Sequence, residues 1–443
     1  MTGGRPDGTA SAAVGVVGGR RVVVLRIDPT VRAGALSQAD GEALQHGFEL
    51  ARETRIPVVG VLASSGADVH EGVGALHGWG GAARAMAACS GIVPLVLIVT
   101  GPTLSGPALL LGLADVVIAT PEAQAYLVGP DGVADFTGEN VSAAALGGIS
   151  VLRRRNGVAA LGAADEAVAL ELAGILLAHL PDNCDEESPP TATADPADRR
   201  MPEAVGIIPA HSTGAYDVRH VIAGVADDGE LLELWREWAP NLVTALVTVE
   251  GRPTGVVANQ PLSMAGTLDI TASQKGARFV GLCDAFNLPI VTFVDTPGFL
   301  PGKDLEWRGM IRHGASLVAA YARATVPRVC VILRKAYGGA YIVMDSRTMG
   351  NDVCLAWPTA EVAVMGAKGA VEILHRRLDD EGRAAAEAVY AETLLTPWVA
   401  AERGLVDAVI DPADTRREVA AALAVLRSKR EHLPGRTHDT LPA

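Results

Sequence analysis

Two glycine-containing turns carry the residue pattern with the clearest chemical use. Ser105-Gly106 follows the apolar run Leu95 to Val99, and Gly338-Gly339 follows the run Val329 to Leu333. Two consecutive backbone N–H groups at a helix N-terminus form an anion site, and small residues let a substrate oxygen approach closely. A pair of such turns would hold two carbonyl oxygens that develop negative charge together. The alternative is that each turn is only a strand-to-helix bend that requires glycine for its backbone conformation.

The segments that position the two turns occur twice along the chain. The run that begins at Ile56 matches the run that begins at Leu288, 232 residues later, and Val93-Pro94 matches Val326-Pro327 at an offset of 233. A third block matches at an offset near 237. Each copy alternates β-branched runs with helical segments and shows no period of two, which favours parallel strands buried on both faces. The sequence therefore predicts a tandem duplication of one α/β unit.

The length of 443 residues suggests about three domains, but the duplication reduces the prediction to two. The segment 181–202 is rich in Pro, Asp, Glu and Thr and has almost no large apolar residue, which is typical of a solvated linker. We therefore predict an N-terminal domain over residues 1–180, an acidic Pro-rich linker over 181–202 and a C-terminal domain over 203–443.

The composition excludes several classes of protein. The formal net charge of −14 argues against a polybasic nucleic-acid binder, and 49% hydrophobic with 20% charged residues excludes a disordered chain. The five scattered cysteines indicate reduced thiols and not a disulfide framework or a zinc site. The long uncharged stretch between Arg84 and Asp115 is interrupted by several Gly and Pro residues, so we expect a soluble, cytoplasmic protein with no membrane span.

Other catalytic motifs are missing from the sequence. There is no G-x-S-x-G, no G-x-x-x-x-G-K-[ST] and no G-x-G-x-x-G, which disfavours an α/β-hydrolase, a P-loop NTPase and a dinucleotide-binding enzyme. His70 and His77 fit no metal motif, so we interpret them as surface or packing residues and predict no metal site. Asp295, before Pro297-Gly298, is either a catalytic carboxylate or, as is more usual in this context, a turn and helix-start residue.

Four long segments resemble one family closely. They are KGARFVGLCDAFNLPIVTFVDTPGFLPG from Lys275, IRHGASLVAAYARATVP from Ile311, RKAYGGAYIVM from Arg334 and AWPTAEVAVMGAKGAVEIL from Ala356. They are similar to the carboxyltransferase (beta) subunits of biotin-dependent acyl-CoA carboxylases of the propionyl-CoA and acetyl-CoA type. The resemblance runs from about residue 20 to about residue 430 and implies two crotonase-like domains in tandem.

The resemblance also implies a reaction and its site. Carboxybiotin on a separate carrier protein would release CO2, the ureido anion would take the α-proton of an acyl thioester, and the resulting enolate would attack CO2 without a side-chain base. By this resemblance Gly339 and Ala340, with Gly338 shaping the turn, would hold the biotin ureido oxygen. Ser105 and Gly106 would hold the thioester enolate. Family members work with a biotin carboxylase and carrier subunit and are typically hexamers.

The N-terminal half departs from the family pattern where acyl-CoA should bind. The usual Gly-Gly-Ala of the first turn reads Ser105-Gly106-Pro107, and both Ser105 and Gly106 retain an N–H. Asp68 stands where an Arg is usual and Ala43 where a Lys is usual. Fewer cations weaken attraction for CoA phosphates, so the acyl thioester is either an acyl-CoA or an unusual or carrier-protein-bound acyl group.

Ile342 stands in the C-terminal half at a position where propionyl-type members often carry Asp. It is interpreted as part of an acyl pocket that favours an apolar tail, and the alternative is that Ile342 only packs its helix.

Three other functions stay open. A decarboxylase subunit acting on a malonyl- or glutaconyl-type thioester would use the same site in the reverse direction. A non-catalytic partner would use the C-terminal half to dock a biotin carrier. Hydratase chemistry, as in single-domain crotonases, is disfavoured because no matching Glu pair stands near the turns.

Overall fold

The computed structural model describes residues 8–209, 211, 214–435 and 440. The chain forms two compact units and passes from the first to the second between Pro189 and Pro190, inside the predicted linker. Trp235–Trp238 and Ala285–Asn287 belong to the first unit. Within the segment 181–202, Asn183 and Met201 are buried.

Unit 1 has a seven-stranded sheet in the order β1-β2-β3-β4-β5-β7, with β6 paired to β4. The pairs β2/β3, β3/β4, β4/β5 and β5/β7 are parallel, and only the β1/β2 hairpin is antiparallel. The strands are β1 Ala10–Val17, β2 Arg20–Ile27, β3 Val58–Ser64, β4 Leu95–Leu104, β5 Val116–Ala119, β6 Gln124–Tyr126 and β7 Leu161–Gly162. The helices are α1 Gln38–Thr54, α2 Val73–Ala87, α3 Leu110–Leu113, α4 Pro130–Thr137, α5 Ala143–Gly147, α6 Ile149–Arg154 and α7 Glu166–Ala178.

Unit 2 has an eight-stranded sheet in the order β15-β13-β12-β11-β10-β9-β8, with β14 paired to β12. The strands are β8 Leu232–Leu234, β9 Leu242–Val249, β10 Arg252–Asn259, β11 Ile290–Thr296, β12 Arg328–Tyr337, β13 Val353–Ala356, β14 Glu361–Ala363 and β15 Ala408–Val409. The helices are α8 Arg219–Val225, α9 Ile270–Ala285, α10 Lys303–Trp307, α11 Met310–Arg323, α12 Gly338–Val343, α13 Ala367–Leu374, α14 Asp380–Tyr390, α15 Pro397–Glu402 and α16 Thr415–Val425.

The two units repeat one another in their backbone detail. β3 and β11 start 232 residues apart, β4 and β12 233 apart, and β6 and β14 237 apart. Even a strained turn recurs, because Ala33 and Ala265 have φ of 52° and 54° and each precedes a glycine. A Cβ at either glycine would lie within 2.4 Å of a carbonyl oxygen near the end of β3 (Ala63) or of β11 (Asp295), which only glycine avoids. The α/β class and the tandem duplication are therefore confirmed.

Each unit buries its own core. All seven residues of β3 and all seven of β11 are buried, as expected for central parallel strands covered on both faces. Helix α1 begins with a capping box at Ser37 and Asp40 and ends at Arg55 in the left-handed conformation. Within unit 1 the carboxyl ends of β3 and β4 lie at the same edge of the sheet, and within unit 2 those of β11 and β12 do. The predicted turns follow β4 and β12.

Candidate active site

The turn after β4 holds a non-glycine residue in a conformation that glycine normally occupies. Ser105 has φ 57° and ψ −138°, and Gly106 opens a short 3-10 helix over Gly106–Leu109 that continues into α3. A φ/ψ pair of this kind places the Cβ in conflict with the backbone and costs about 1–3 kcal/mol. The chain therefore retains the sharp turn although the usual glycine is replaced.

The N–H groups of this turn are not equally available. Ser105 N–H donates to the carbonyl oxygen of Tyr126 (N···O 3.0 Å), and Ala108 N–H donates to the carbonyl oxygen of Ser105 (3.0 Å). Pro107 has no N–H. Gly106 N–H has no hydrogen-bond partner among the described residues. Of the two predicted donors, Gly106 is the one that the structure leaves open to a ligand.

A second open N–H lies in the loop after β3. Gly66 has φ 110°, and a Cβ added to it would lie 3.3 Å from the Ser105 Cβ, so this loop borders the turn. Leu36 N–H donates to the Gly66 oxygen and Asp68 N–H donates to the Leu36 oxygen. Ala67 N–H, which lies between these two bonds, has no partner in the described part of the chain. The sequence prediction missed Ala67, although a glycine after a buried strand was a signal for such a loop.

The turn after β12 has the same course with different residues. Gly338 has φ 57°, and Gly338, Gly339 and Ala340 form the first turn of α12, where backbone N–H groups lack intrahelical partners. A Cβ at Gly339 would be 3.7 Å from the nearest atom, Cε2 of Phe299, which is ordinary contact. The predicted residues Gly338, Gly339 and Ala340 therefore lie together at a helix N-terminus.

Phe299 occupies the position in unit 2 that Ala67 occupies in unit 1. It follows Gly298, which has φ 145°, and Leu268 bridges the loop by donating to the Gly298 oxygen and accepting from Leu300 N–H. Phe299 N–H has no partner within the residues that the structure describes. Each unit thus presents a helix-start N–H beside a loop N–H.

Both carboxylate oxygens of Asp295, the candidate catalytic residue, accept hydrogen bonds from other residues of unit 2. Its Oδ2 accepts from Arg334 Nε (2.9 Å) and the Tyr216 hydroxyl (2.9 Å), and its Oδ1 accepts from Lys335 N–H (3.1 Å). Burial raises the pKa of Asp295, against the lowering effects of Arg334 and these hydrogen bonds. Because these contacts hold the last residues of β12, Asp295 fixes the approach to the Gly338 turn.

The residues that depart from the family pattern have defined contacts. Asp68 is buried, accepts from His70 N–H (3.0 Å) and lies 3.5 Å from an Arg32 guanidinium nitrogen, so its charge is partly neutralised inside unit 1. His70 and His77 are exposed, which agrees with the surface interpretation and not with the packing one. Ile342 is 38% exposed on α12, and its role in an acyl pocket stays a prediction.

The sequence predicted that the cysteines are reduced thiols and that the chain has no metal site. Cys89, Cys283, Cys330 and Cys354 are buried, Cys184 is partly exposed, and all five are free thiols. Across the described ranges, no group of three or more His, Cys, Asp or Glu side chains is arranged to hold a metal ion. No helix in the same ranges combines the length and the apolarity needed to cross a membrane.

The comparisons with known proteins decide the family. The carboxyl transferase domain family matches residues 2–441. The chain belongs to the carboxyl transferase family. The propionyl-CoA carboxylase beta chain of Saccharopolyspora erythraea is 43% identical over 97% of this chain and 82% of the relative. The alpha subunit of methylmalonyl-CoA decarboxylase of Veillonella parvula is 41% identical over 97% of this chain and 84% of the relative.

A solved structure of transcarboxylase 12S, a hexamer assembly with methylmalonyl-CoA and methylmalonic acid bound, has a TM-score of 0.96 at 41% identity. The match covers 98% of this chain and 85% of that chain. The predicted crotonase-like fold, the predicted family and the predicted enzyme class, a carboxyltransferase of the biotin-dependent acyl-CoA carboxylase type, are confirmed. The roles of the individual site residues stay predictions.

Proposed function

We propose that this chain transfers a carboxyl group between carboxybiotin, carried on a separate protein, and the α-carbon of an acyl thioester. The observation that carries the proposal is the repeated pair of turns: each unit of this chain places an open helix-start N–H beside an open loop N–H, and the chain matches the carboxyl transferase domain family. Two such pairs suit a reaction in which a thioester oxygen and a ureido oxygen carry negative charge.

On the acyl side, Gly106 N–H and Ala67 N–H hold the thioester oxygen as the enolate forms. Ser105 shapes the turn, and its N–H is occupied by the Tyr126 oxygen. Backbone donors that are fixed by the sheet need no reorganisation when charge develops, and one such donor contributes about 10²–10³ in kcat in enzymes of known mechanism. No side-chain base is required at this position.

On the biotin side, the N–H groups of Gly339 and Ala340 hold the ureido oxygen beside the open Phe299 N–H, with Gly338 providing the left-handed turn. The carboxylated cofactor, when bound, supplies CO2 and accepts the α-proton of the substrate. Asp295 positions this turn through Arg334 and Lys335 N–H. The backbone donors stabilise the ureido anion, which makes release of CO2 more favourable.

The acyl substrate is expected to differ from a standard acyl-CoA. Residues 1–189 contain 11 Arg, no Lys and 20 Asp or Glu, whereas all five lysines of the chain lie from Lys275 onward. Phosphate groups are held most often by Arg and Lys. Because residues 1–189 carry a net charge of −9, they attract CoA phosphates weakly, so an unusual or carrier-protein-bound acyl thioester is favoured.

The same site supports decarboxylation, and a decarboxylase subunit is as similar to this chain as the carboxylase subunits are. The non-catalytic docking alternative predicts that the acyl-side turn is dispensable. The proposed partners are a biotin carboxylase with its biotin carrier and further copies of this chain in a hexamer, as transcarboxylase 12S forms. The proposed location is the cytoplasm.

A substrate panel tests the function and its direction. CoA esters and carrier-protein thioesters are supplied with biotin carboxylase, biotinylated carrier, ATP and ¹⁴C-bicarbonate, and acid-stable ¹⁴C product is measured. Labelled product with at least one thioester supports carboxylation. CO2 release from a malonyl-type thioester, with no carboxylation of any substrate, supports the decarboxylase.

A variant at the acyl-side turn separates catalysis from docking. Gly106→Pro removes the open N–H, and Gly112→Ala, whose Cβ would meet no atom within 4 Å, is the matched control. Loss of turnover in the first and retention in the second supports the acyl-side assignment. Unchanged turnover in Gly106→Pro would overturn that assignment and favour the docking role.

A further inference from the structure

An ion pair in unit 1 borders the loop that carries the open Ala67 N–H. Asp68 follows Ala67 in the chain, its side chain is buried, and its Oδ2 lies 3.5 Å from Nη1 of Arg32. Its Oδ1 accepts from His70 N–H (3.0 Å). A buried carboxylate therefore stands one residue away from a backbone donor that is proposed to hold a developing negative charge.

Arg32 is held in place by a second carboxylate. Its Nη2 donates to Oδ2 of Asp40 (2.6 Å) and to the Thr9 hydroxyl oxygen (3.1 Å). Asp40 is 2% exposed and also accepts from the N–H groups of Thr9 (2.7 Å) and Ser37 (3.0 Å). These bonds anchor the guanidinium of Arg32 at the start of α1, from where it faces Asp68 across the loop.

The corresponding positions of unit 2 carry no charge. At the offset of 232 residues, Arg32, Asp40 and Asp68 correspond to Met264, Ala272 and Leu300. Arg32 and Met264 have φ of 49° and 47°, so both residue types occupy this backbone position. The loop of each unit is held by an equivalent backbone bridge. The charged side chains are therefore an addition in unit 1 that the bridge itself does not require.

An Asp68 carboxylate without its cation would oppose the charge of an enolate. Covalent geometry places this carboxylate within about 9 Å of the Ala67 nitrogen. At such a distance near a protein surface, one uncompensated charge changes a rate by about 10-fold. The repulsion acts on the enolate and little on the neutral thioester, so it lowers kcat more than it raises KM.

We propose that Arg32 is a positioning residue for the acyl side of the reaction, which neutralises Asp68 and ties the loop of the Ala67 N–H to the start of α1. This inference rests on the proposed carboxyl transfer. It assigns to the ion pair a role in keeping the acyl-side donors favourable to an anion, in a unit whose loop carries a carboxylate that unit 2 lacks.

The test replaces the residues of unit 1 by those of unit 2. Arg32→Met leaves Asp68 without its cation, the double variant Arg32→Met/Asp68→Leu removes both charges, and Arg32→Lys keeps the cation. Arg26→Met is the matched control, because the Arg26 side chain is 44% exposed, close to the 42% of Arg32, and pairs with Glu166 instead of the loop. kcat and KM are measured for a thioester that the wild type carboxylates. Since Asp68→Leu also removes the acceptor of His70 N–H, urea unfolding is measured for every variant.

We expect Arg32→Met to lower kcat about 10-fold with KM changed less than about threefold, and the double variant to return to within about threefold of wild type. Arg32→Lys and Arg26→Met should also stay within about threefold. Wild-type kcat in Arg32→Met, a raised KM at constant kcat, or an equal loss in the single and double variants would overturn the proposal, because Arg32 would then bind the substrate or only support the fold.

These outcomes are distinct from a failure of the proposed function. A wild-type protein that transfers no carboxyl group in either direction would defeat both proposals. An active wild type with unchanged kcat in Arg32→Met would defeat the role of Arg32 alone.

Discussion

The turns after β4 and β12 both contain a residue with φ 57°, but they differ in which of their positions has room for a side chain. In unit 2, Gly338 takes the left-handed position, and the next residue, Gly339, has room for a Cβ. In unit 1, Ser105 takes the left-handed position despite its Cβ, and Gly106 has no room because Trp79 fills the space. The comparison shows that a duplicated backbone can keep its geometry while the steric constraint moves by one residue.

The difference between the turns also changes what each can bind. The turn of unit 2 offers consecutive N–H groups at the start of α12. The turn of unit 1 has one N–H tied to Tyr126, one position without an N–H at Pro107, and a buried indole donor beside it. Unit 2 thus offers consecutive N–H groups at its helix start, whereas the turn of unit 1 offers only the Gly106 N–H among residues 105–107.

The largest expected difference between the turns comes from adding one methyl group to each. Gly106→Ala places a Cβ 2.4 Å from the Trp79 ring, which must displace the indole or the turn. We expect a loss of carboxyl transfer of about 100-fold or more, since small displacements of catalytic donors have effects of this size. Gly339→Ala should stay within about threefold of wild type, as measured by kcat/KM. Equal losses in the two variants would show that the indole does not restrict Gly106.

The two units also contain buried carboxylates with opposite pH behaviour. Burial raises the pKa of Asp345 in unit 2 to about 6, although Arg328 opposes the shift. In unit 1, burial of Asp40 is outweighed by hydrogen bonds from Ser37 and Ala10 N–H and by Arg32, so the pKa of Asp40 is lowered. A raised pKa in the folded state favours folding below the unfolded pKa of 3.8, and that contribution is lost as pH rises through about 6.

We therefore expect Asp345→Asn to gain stability relative to wild type between pH 4 and pH 7, by at most about 3 kcal/mol. Asp40→Asn should instead lose stability relative to wild type as pH rises through the range near 4, because its carboxylate favours folding only when ionised. Urea unfolding across this pH range measures both differences. The same pH trend in both variants would contradict the opposite directions of the pKa shifts of Asp345 and Asp40.

Replacing the left-handed glycine of unit 2 by the residue found in unit 1 tests the backbone directly. Gly338→Ser adds a Cβ at φ 57° and 3.1 Å from the Val364 carbonyl oxygen. We expect a loss of about 1–3 kcal/mol in the free energy of unfolding, measured by urea unfolding. Gly369→Ala on the neighbouring helix α13 is a suitable control, since its nearest contact would be 3.5 Å and φ is not in the left-handed region. Full stability in Gly338→Ser would show that the turn accepts a side chain in unit 2 as well.

The reverse change has the smallest expected effect. Ser105→Gly relieves the strain of the left-handed position but increases the freedom of the unfolded chain, at a cost of about 0.5–1 kcal/mol. The net gain in stability should be about 1 kcal/mol, with kcat unchanged because the Gly106 N–H stays in place. Thermal unfolding and kinetics on the same sample check this. A loss of stability would mean that the Ser105 side chain makes a favourable contact that outweighs the strain.

Several features of the fold could be read from the sequence because they depend on local pattern. Apolar runs such as Val58–Ser64 and Ile290–Thr296, repeated at a constant offset, predicted the parallel strands and the duplication. Asp165 caps the start of α7 in the same local way, since its side chain accepts from Val168 N–H. The residues of both turns were also identified, since glycine and serine after an apolar run mark a strand-to-helix bend.

The sequence by itself determined which backbone groups exist: Ser105 and Gly106 have an N–H, and Pro107 has none. Only the tertiary structure decided which of these groups a ligand can reach, because the partner of Ser105 N–H is Tyr126 on β6 and the neighbour of Gly106 is Trp79 on α2. The contributions of Ala67 and Phe299 depend in the same way on bridges to Leu36 and Leu268. Residue type sets the capacity to donate a hydrogen bond, but packing between segments distant in sequence sets its direction and whether it is already used.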